Sequence, residues 1–422
     1  MRQRACAARR VRHVPRVLIA LALLLAAAAP AEAAELPRPG SLFGQQSAAS
    51  PLGHIVSLGD DSVVERAWLA APGRPLGPPV PVPGGYFSAV ALGPAGEGLL
   101  VFSEGGPEGR LMASFRPPDG AFGPAVPISE GPTSGPEARV GFDAAGNAIV
   151  IWTQVGPGPD LVARARGANG SWSALEPIPG ADGAFRVQLA VAPSGAATAV
   201  WREDDGSGPN RTRLVAANRP PGGRFGPQQT LAPARYDADD AALDMNARGD
   251  AVVAWVESND ATTAEELRFT VAGVFRRGDG RFGRRIALAR RGTDGSVPSV
   301  SVAPSGRMVI AYRDNRRGLA LARIRTAAGR LLPVRTLSAD AGENTGVAAL
   351  AAGPGVVAWF DRDPGRTILR LAVAGADGRF RHRRTLARGS RYPEVPQLFA
   401  TPTGLAYLLP TRTPRLGRTS LP

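Results

Sequence analysis

The chain has 422 residues, of which 44% are hydrophobic and 20% charged, and its formal net charge is +14. That apolar content excludes intrinsic disorder, and 52 Gly with 40 Pro exclude a helical bundle or coiled coil. All 50 basic residues are arginine, a usage that reads as coding bias, and no aromatic–basic motif accompanies them to suggest a nucleic-acid module.

Met1 to Arg16 carries arginines at 2, 4, 9, 10, 12 and 16 and no acid. Val17 to Ala29 is wholly apolar, and Ala31, Glu32 and Ala33 place small residues at alternate positions. Basic, then apolar, then small is the order of a secretory signal peptide, predicted here over 1–33. The apolar run is too short to span a bilayer, so the mature chain is expected to be secreted or extracytoplasmic, with no transmembrane segment. Its single cysteine, Cys6, lies in the leader. The mature chain therefore lacks a disulfide, a thiolate nucleophile and a cysteine-held metal.

Residues 34–61 read as a lead-in, with Pro51 to Val56 as a degenerate hairpin. From 62 to 410 two patterns interleave, which points to a repeat architecture. In the first, a glycine turn is followed six residues later by an aromatic. The pairs are Gly96 and Phe102, Gly146 and Trp152, Gly195 and Trp201, Gly249 and Trp255, Gly306 and Tyr312, and Gly353 and Trp359. A seventh turn at Gly404 meets Pro410 instead. In the second, Gly73, Gly120, Gly170, Gly223, Gly280, Gly329 and Gly378 each follow an alternating strand. Five have an aromatic two residues on: Phe122, Trp172, Phe225, Phe282 and Phe380. Glycine supplies the positive φ of tight hairpins, and alternation of period two buries one side of each strand.

The unit is thus two hairpins, or four strands. Seven units predict an all-β fold, a seven-bladed β-propeller of four-stranded antiparallel blades. Eight blades result if Pro51 to Val56 counts as a copy. The recurrent aromatics are assigned to packing between blades. Closure is expected from the ends, with the hairpin Ser62 to Val82 sharing a blade with Val395 to Leu409, so that N- and C-terminal strands close the ring. Residues 411–422 are expected to be a flexible tail.

The Asn/Asp-Gly-x-aromatic hairpins, such as Asn169, Gly170, Ser171 and Trp172, resemble sialidase-like (BNR-type) repeats of secreted bacterial propellers. The resemblance spans Ser62 to Leu409 and implies the propeller architecture. The strict Ser-x-Asp-x-Gly-x-Thr-Trp box is absent, as is a Phe/Tyr-Arg-Ile-Pro segment, so the expectation is not an active sialidase.

Short glycine turns occupy one edge of the blades and variable connections the other, where binding sites tend to lie. Two residues beyond each aromatic comes Glu104, Gln154, Glu203, Glu257, Asp314 or Asp361. These six are the ligand-binding candidates, read against a plainer role in accepting hydrogen bonds from loops or arginines. A loop-edge calcium ion would draw on Asp204 and Asp205, or on Asp237, Asp239 and Asp240, but no ordered calcium loop is present. Neither a cofactor nor a metal is expected. His54 and His382 are isolated in sequence, and the motifs of serine hydrolases, zincins and P-loops are missing, so no catalytic residue is assigned. The expectation is a monomeric, non-enzymatic binder of an extracellular protein or glycan. The alternative is a glycoside hydrolase or lyase using carboxylates at the mouth of the ring. Charge is uneven: residues 35–267 hold 16 Arg and 26 acids, and 268–391 hold 25 Arg and 8 acids. The second stretch could meet an anionic surface.

Overall fold

In the computed structural model the described residues lie between 47 and 421, apart from 61–64, 84, 105–108, 134–136, 155–159, 205–211, 235–237, 259–268, 279, 290–292, 339–346, 352–354, 364–365, 390–395 and 410–413. The proposed leader and most of the variable connections fall outside them.

The described residues form strands grouped into eight antiparallel sheets, seven of four strands and the last of three. The blades run Ser47–Pro81, Tyr86–Pro132, Ala138–Pro177, Ala184–Ala232, Ala238–Ala287, Gly295–Ser338, Val347–Gly389 and Gln397–Thr419. Each is a simple meander in chain order, and the first strands of successive blades lie against one another around the ring. The fold is an eight-bladed β-propeller.

Both sequence patterns are visible in the turns. Between first and second strands, Gly53, Gly96, Gly146, Gly195, Gly249 and Gly306 adopt φ between 80° and 94°. Each donates its N–H to the carbonyl three residues back, as Gly96 does to Gly93 and Gly195 to Ala192. Between third and fourth strands, Gly73, Gly170, Gly329 and Gly378 also have positive φ. At the Gly120, Gly223 and Gly280 turns the left-handed residue falls earlier, at Asp119, Gly222 and Gly278. Two of these turns, closed by the Gly120 N–H on the Pro117 carbonyl and the Gly223 N–H on the Pro220 carbonyl, carry Pro118 and Pro221 at the second position and the left-handed residue at the third, as a type II turn does.

Packing explains the aromatics. Trp152, Trp201, Trp255, Tyr312 and Trp359 are at most 1% exposed, and each lies in an apolar cluster that joins its own blade to the preceding one. Phe102 does the same between blades 1 and 2. The second set packs back in the same direction, Phe225 with Trp201 and Phe282 with Trp255. Burying a large apolar side chain contributes about 1.5–3 kcal/mol, so every interface carries its own share of the stability.

The blade count is the eight reached when Pro51 to Val56 counts as a copy, while the sharing of one blade by the two chain ends differs from the sequence reading. Blade 1 begins at Ser47–Ala49 and Ile55–Asp60, so the degenerate hairpin is a full one, and Glu65–Ala70 pairs with it rather than with the C-terminus. Its aromatic was hidden because Gly59 stands six residues after Gly53. The Trp68 ring, from the third strand, lies over that glycine, where a Cβ would come within 2.6 Å of Cζ3. The third strand of blade 8 is Arg415–Thr419, in the segment expected to be a tail. Here Tyr407 covers Gly417 across the pair, an aromatic filling the space a glycine leaves. The ring closes by packing: Phe399, Ala406 and Leu408 of blade 8 form one cluster with Ala49, Ile55 and Ala70 of blade 1. Ser47 Oγ also donates to Gln397 Oε1 between the two innermost strands.

Among the described residues no helix is long and apolar enough to cross a membrane.

Candidate functional site

A meander puts the turns between first and second and between third and fourth strands on one edge of the ring. The second-to-third and blade-to-blade connections lie on the other. The six candidate residues sit within two residues of the ends of second strands on that second, loop edge. Period two places each on the same strand side as its aromatic.

Three carboxylates are held in one way. Trp201 Nε1 donates to Glu203 Oε2 at 3.2 Å, Trp255 Nε1 to Glu257 Oε1 at 2.9 Å, and Trp359 Nε1 to Asp361 Oδ1 at 2.8 Å. Each also pairs with an arginine: Glu203 with Arg213, Glu257 with Arg285 through both oxygens, and Asp361 with Arg370. Asp361 further accepts from Ser338 Oγ. Glu203 and Glu257 are buried, at 1% and 2% exposed. Burial pushes the Glu203 carboxyl up from its ordinary 4.5, and the Trp201 N–H and Arg213 oppose this without cancelling it.

The other three depart from this scheme. Asp314 is fully buried and meets Arg317 Nη1 at 3.0 Å, while the Tyr312 hydroxyl donates to the Leu288 carbonyl at 3.2 Å. Gln154 is half-buried and Glu104 exposed. Beside Gln154, Trp152 Nε1 is a buried donor with no partner. No two of the six carry a hydrogen bond or ion pair to each other among the described residues. Their positions follow from sequence, but their arginine partners do not, because these come from other strands and from connections at no fixed spacing.

The structure adds Arg186 and Arg202, which spacing did not point to, beside Asp239 and Asp240 of the proposed calcium group. The innermost strands of blades 2, 4, 5 and 6 carry a β-bulge at the same place near the loop edge, between Tyr86 and Ala89, Phe185 and Gln188, Asp239 and Ala242, and Ser296 and Ser299. Bulges re-aim side chains. In blades 4 and 5 they put Arg186 and Asp240 in the left-handed region, at φ of 54° and 45°, which is costly away from glycine. Asp239 pairs with Arg202 Nη1 at 2.5 Å. Asp240 meets solvent, yet desolvation by its surroundings pushes its carboxyl up, as does Asp239, against Arg186 and Arg202. Blades 4 and 5 therefore place two acids and two arginines together near the innermost strands.

On the opposite, turn edge, His54 Nδ1 lies 3.0 Å from Ser50 Oγ, and its Nε2 lies 3.5 Å from Asp119. Ser50 Oγ already accepts from the His54 backbone N–H at 3.1 Å and is buried. A Cβ at Gly96 would come within 2.5 Å of the imidazole. The trio braces blade 1 against blade 2 and offers no accessible nucleophile. His382 is on the outermost strand of blade 7, Phe380–Gly389. Asp205 and Asp237, of the proposed calcium groups, lie outside the described residues. Among the described residues no group of three His, Cys, Asp or Glu is placed to hold a metal.

No protein-family model matches the chain, and a search of curated proteins finds no match. Solved structures do resemble it at the level of fold. A puromycin hydrolase variant complexed with PGG matches with a TM-score of 0.49 and 20% identity over 90% of this chain, which spans 59% of that protein. An ulvan lyase of polysaccharide lyase family PL25 matches at 0.46 and 10% identity, over 83% of this chain and 96% of its own. A Hadza microbial sialidase matches at 0.39 and 13% identity, over 74% of each chain.

Proposed function

We propose that the protein is an exported scaffold that binds an extracellular protein or glycan at its loop edge, rather than a catalyst. The observation that supports this most is the engagement of the strand-end carboxylates. A glycosidase needs two carboxyl groups facing each other across roughly 5–9.5 Å, free to exchange protons with substrate. Glu203, Glu257 and Asp361 each accept an indole N–H and an arginine instead, which fits a bracing role. A rigid ring carrying irregular connections on one edge, with Arg186 and Asp240 held by bulges beside them, suits recognition.

The test is a panel of glycans and secreted proteins for binding, together with chromogenic glycosides and uronate polymers for turnover. The expected result is saturable binding without turnover, weakened at least tenfold by Arg186→Ala or Asp240→Asn at unchanged melting temperature. Turnover that Glu203→Gln or Asp361→Asn abolishes would favour the hydrolase or lyase reading.

A second reading is supported by the outermost strand of blade 7. Phe380–Gly389 exposes Arg381, Arg383, Arg384 and Arg388 along one sheet edge, a strip suited to an anionic surface. This contact would be electrostatic and lost at high salt.

A further inference from the structure

Blades 2 to 6 end their third strands on the same residue type. Arg116, Arg166, Arg219, Arg276 and Arg325 each lie opposite the residue that opens the second strand, namely Gly98, Ala148, Ala197, Ala251 and Met308. All five therefore stand on the turn edge. Four are engaged within the protein. Arg116 donates to the Gly120 and Gly96 carbonyls, and Arg276 to the Gly249 carbonyl, Thr198 Oγ1 and Asn218. Arg219 meets Glu176 at 3.8 Å, and Arg166 donates to the Gly167 carbonyl at 3.3 Å. Arg325 differs. Among the described residues its side chain makes no hydrogen bond or ion pair, and its guanidinium lies 4.7 Å from the centre of the Phe275 ring of blade 5.

A second guanidinium meets it there. The residues after the five arginines are Pro117, Gly167, Pro220, Arg277 and Thr326, so of these blades only blade 5 carries a charge at that place. Arg277 is exposed and reaches across to blade 6, where its Nη2 donates to the Ala327 carbonyl at 2.8 Å. Between the two arginines lies Gly329, at a φ of 92°. A Cβ on that glycine would come within 2.9 Å of Arg277 Nη2 and 3.1 Å of Arg325 Nη2. The two nitrogens are thus at most about 6 Å apart, a gap that one oxyanion bridges with two contacts of about 2.7–2.9 Å.

Like charges this close repel, and little nearby offsets them. Burial pushes the Arg325 guanidinium down from its ordinary 12.5, Arg277 pushes it further, and Asp250 opposes both. Asp250 is itself engaged, by Arg248 Nη2 at 2.8 Å, the Gly278 N–H at 3.1 Å and Asn246 Nδ2 at 3.1 Å. The turns 276–281 and 325–330 hold five arginines and one acid, Asp279, which lies outside the described residues. An anion between Arg277 and Arg325 would relieve the repulsion. It would also use N–H groups that the fold leaves over, since each guanidinium has five donors.

We infer that Arg277 and Arg325 form a phosphate- or sulfate-binding site on the turn edge, between blades 5 and 6. The ligand class follows from charge and reach. Two guanidiniums arriving from separate blades suit a tetrahedral dianion, which presents oxygens in several directions, better than a flat, singly charged carboxylate. Such an ion would tie the two blades together on the side opposite the loop edge, so the site stands apart from the ligand bound there.

Isothermal titration calorimetry at constant ionic strength tests it, with inorganic phosphate, inorganic sulfate and dextran sulfate as probes and acetate as the flat control. One phosphate or sulfate per chain is expected, with acetate at least tenfold weaker. Arg277→Gln and Arg325→Gln are each expected to weaken binding at least tenfold. Arg166→Gln, at the matching place in blade 3 where no second arginine follows, is expected to change nothing. Tighter binding of dextran sulfate that is lost with the two site substitutions assigns the site to an ion carried on a polymer; otherwise the ligand is the free ion. Absence of saturable binding overturns the inference. So does binding that both site variants leave unchanged or that Arg166→Gln weakens equally, since either marks diffuse charge attraction. Acetate binding as tightly as sulfate overturns the ligand class. Arg277 is exposed, so Arg277→Gln decides the matter if Arg325→Gln, which also loses the Phe275 contact, does not fold.

Discussion

Trp255 and Glu257 lie two residues apart on one strand, and the indole N–H of the first donates to the carboxylate of the second at 2.9 Å. The same carboxylate meets Arg285 through both oxygens. Removing one member of a buried pair leaves an uncompensated charge, at a cost of about 3–5 kcal/mol. Arg285 keeps some contact with solvent, at 27%, so Glu257→Ala is expected at the lower end, about 3 kcal/mol by denaturant unfolding. Exposed Glu104→Ala is expected within about 0.5 kcal/mol of the parent. Equal losses would remove the bracing role.

Trp152 and Trp255 occupy matching places but differ in their partners. Trp152 Nε1 has none, whereas Trp255 Nε1 serves Glu257. Phenylalanine at either site loses packing, but Trp255→Phe also takes a donor from a buried carboxylate. It is expected to cost about 1.5–3 kcal/mol more than Trp152→Phe. Chemical denaturation of both variants checks the difference.

Acid stability has an identifiable contributor. Burial pushes the Asp250 carboxyl up, but Asn246, the Gly278 N–H and Arg248 together pull it below its ordinary 3.8. A lowered native pKa means the unfolded chain takes up the proton first as pH falls. Its contribution is therefore complete above about 3.8 and fades below it. The parent should lose stability more steeply than Asp250→Asn between about pH 4 and pH 2, and unfolding curves at stepped pH measure both slopes.

On the blade 7 edge, replacing Arg381, Arg383, Arg384 and Arg388 by Gln is expected to lower retention on anionic vesicles at low salt without shifting the melting temperature. Retention of the parent should vanish near molar salt, where screening reaches about 3 Å. Salt-insensitive retention would exclude the electrostatic reading.

Much of the ring is legible in the sequence, because each unit must solve the same problem with the same residues. A positive-φ glycine and an aromatic six positions later identify Phe102, Trp152, Trp201, Trp255 and Tyr312 with their turns. Trp359 is identified as well; Gly353 lies outside the described residues, and Gly355 of the same turn has a φ of 108°. The terminal blades escaped that rule. Trp68 fills its space from the third strand over Gly59, and Tyr407 does so three residues after Gly404 over Gly417. The volume is conserved there while its position in the chain is not. At the candidate site the carboxylates were found by spacing, but whether a carboxylate is free depends on an arginine from another strand. The bulges that hold Arg186 and Asp240 leave no mark in the alternation.

No sheet in this molecule owns its interior. Each apolar mass is furnished half by one sheet and half by its neighbour, so stripping out a single repeat would lay bare two flanks at once. The ring can therefore gain or lose sheets only as whole repeats, and heating should dismantle the circle in one concerted step rather than peel it from an end.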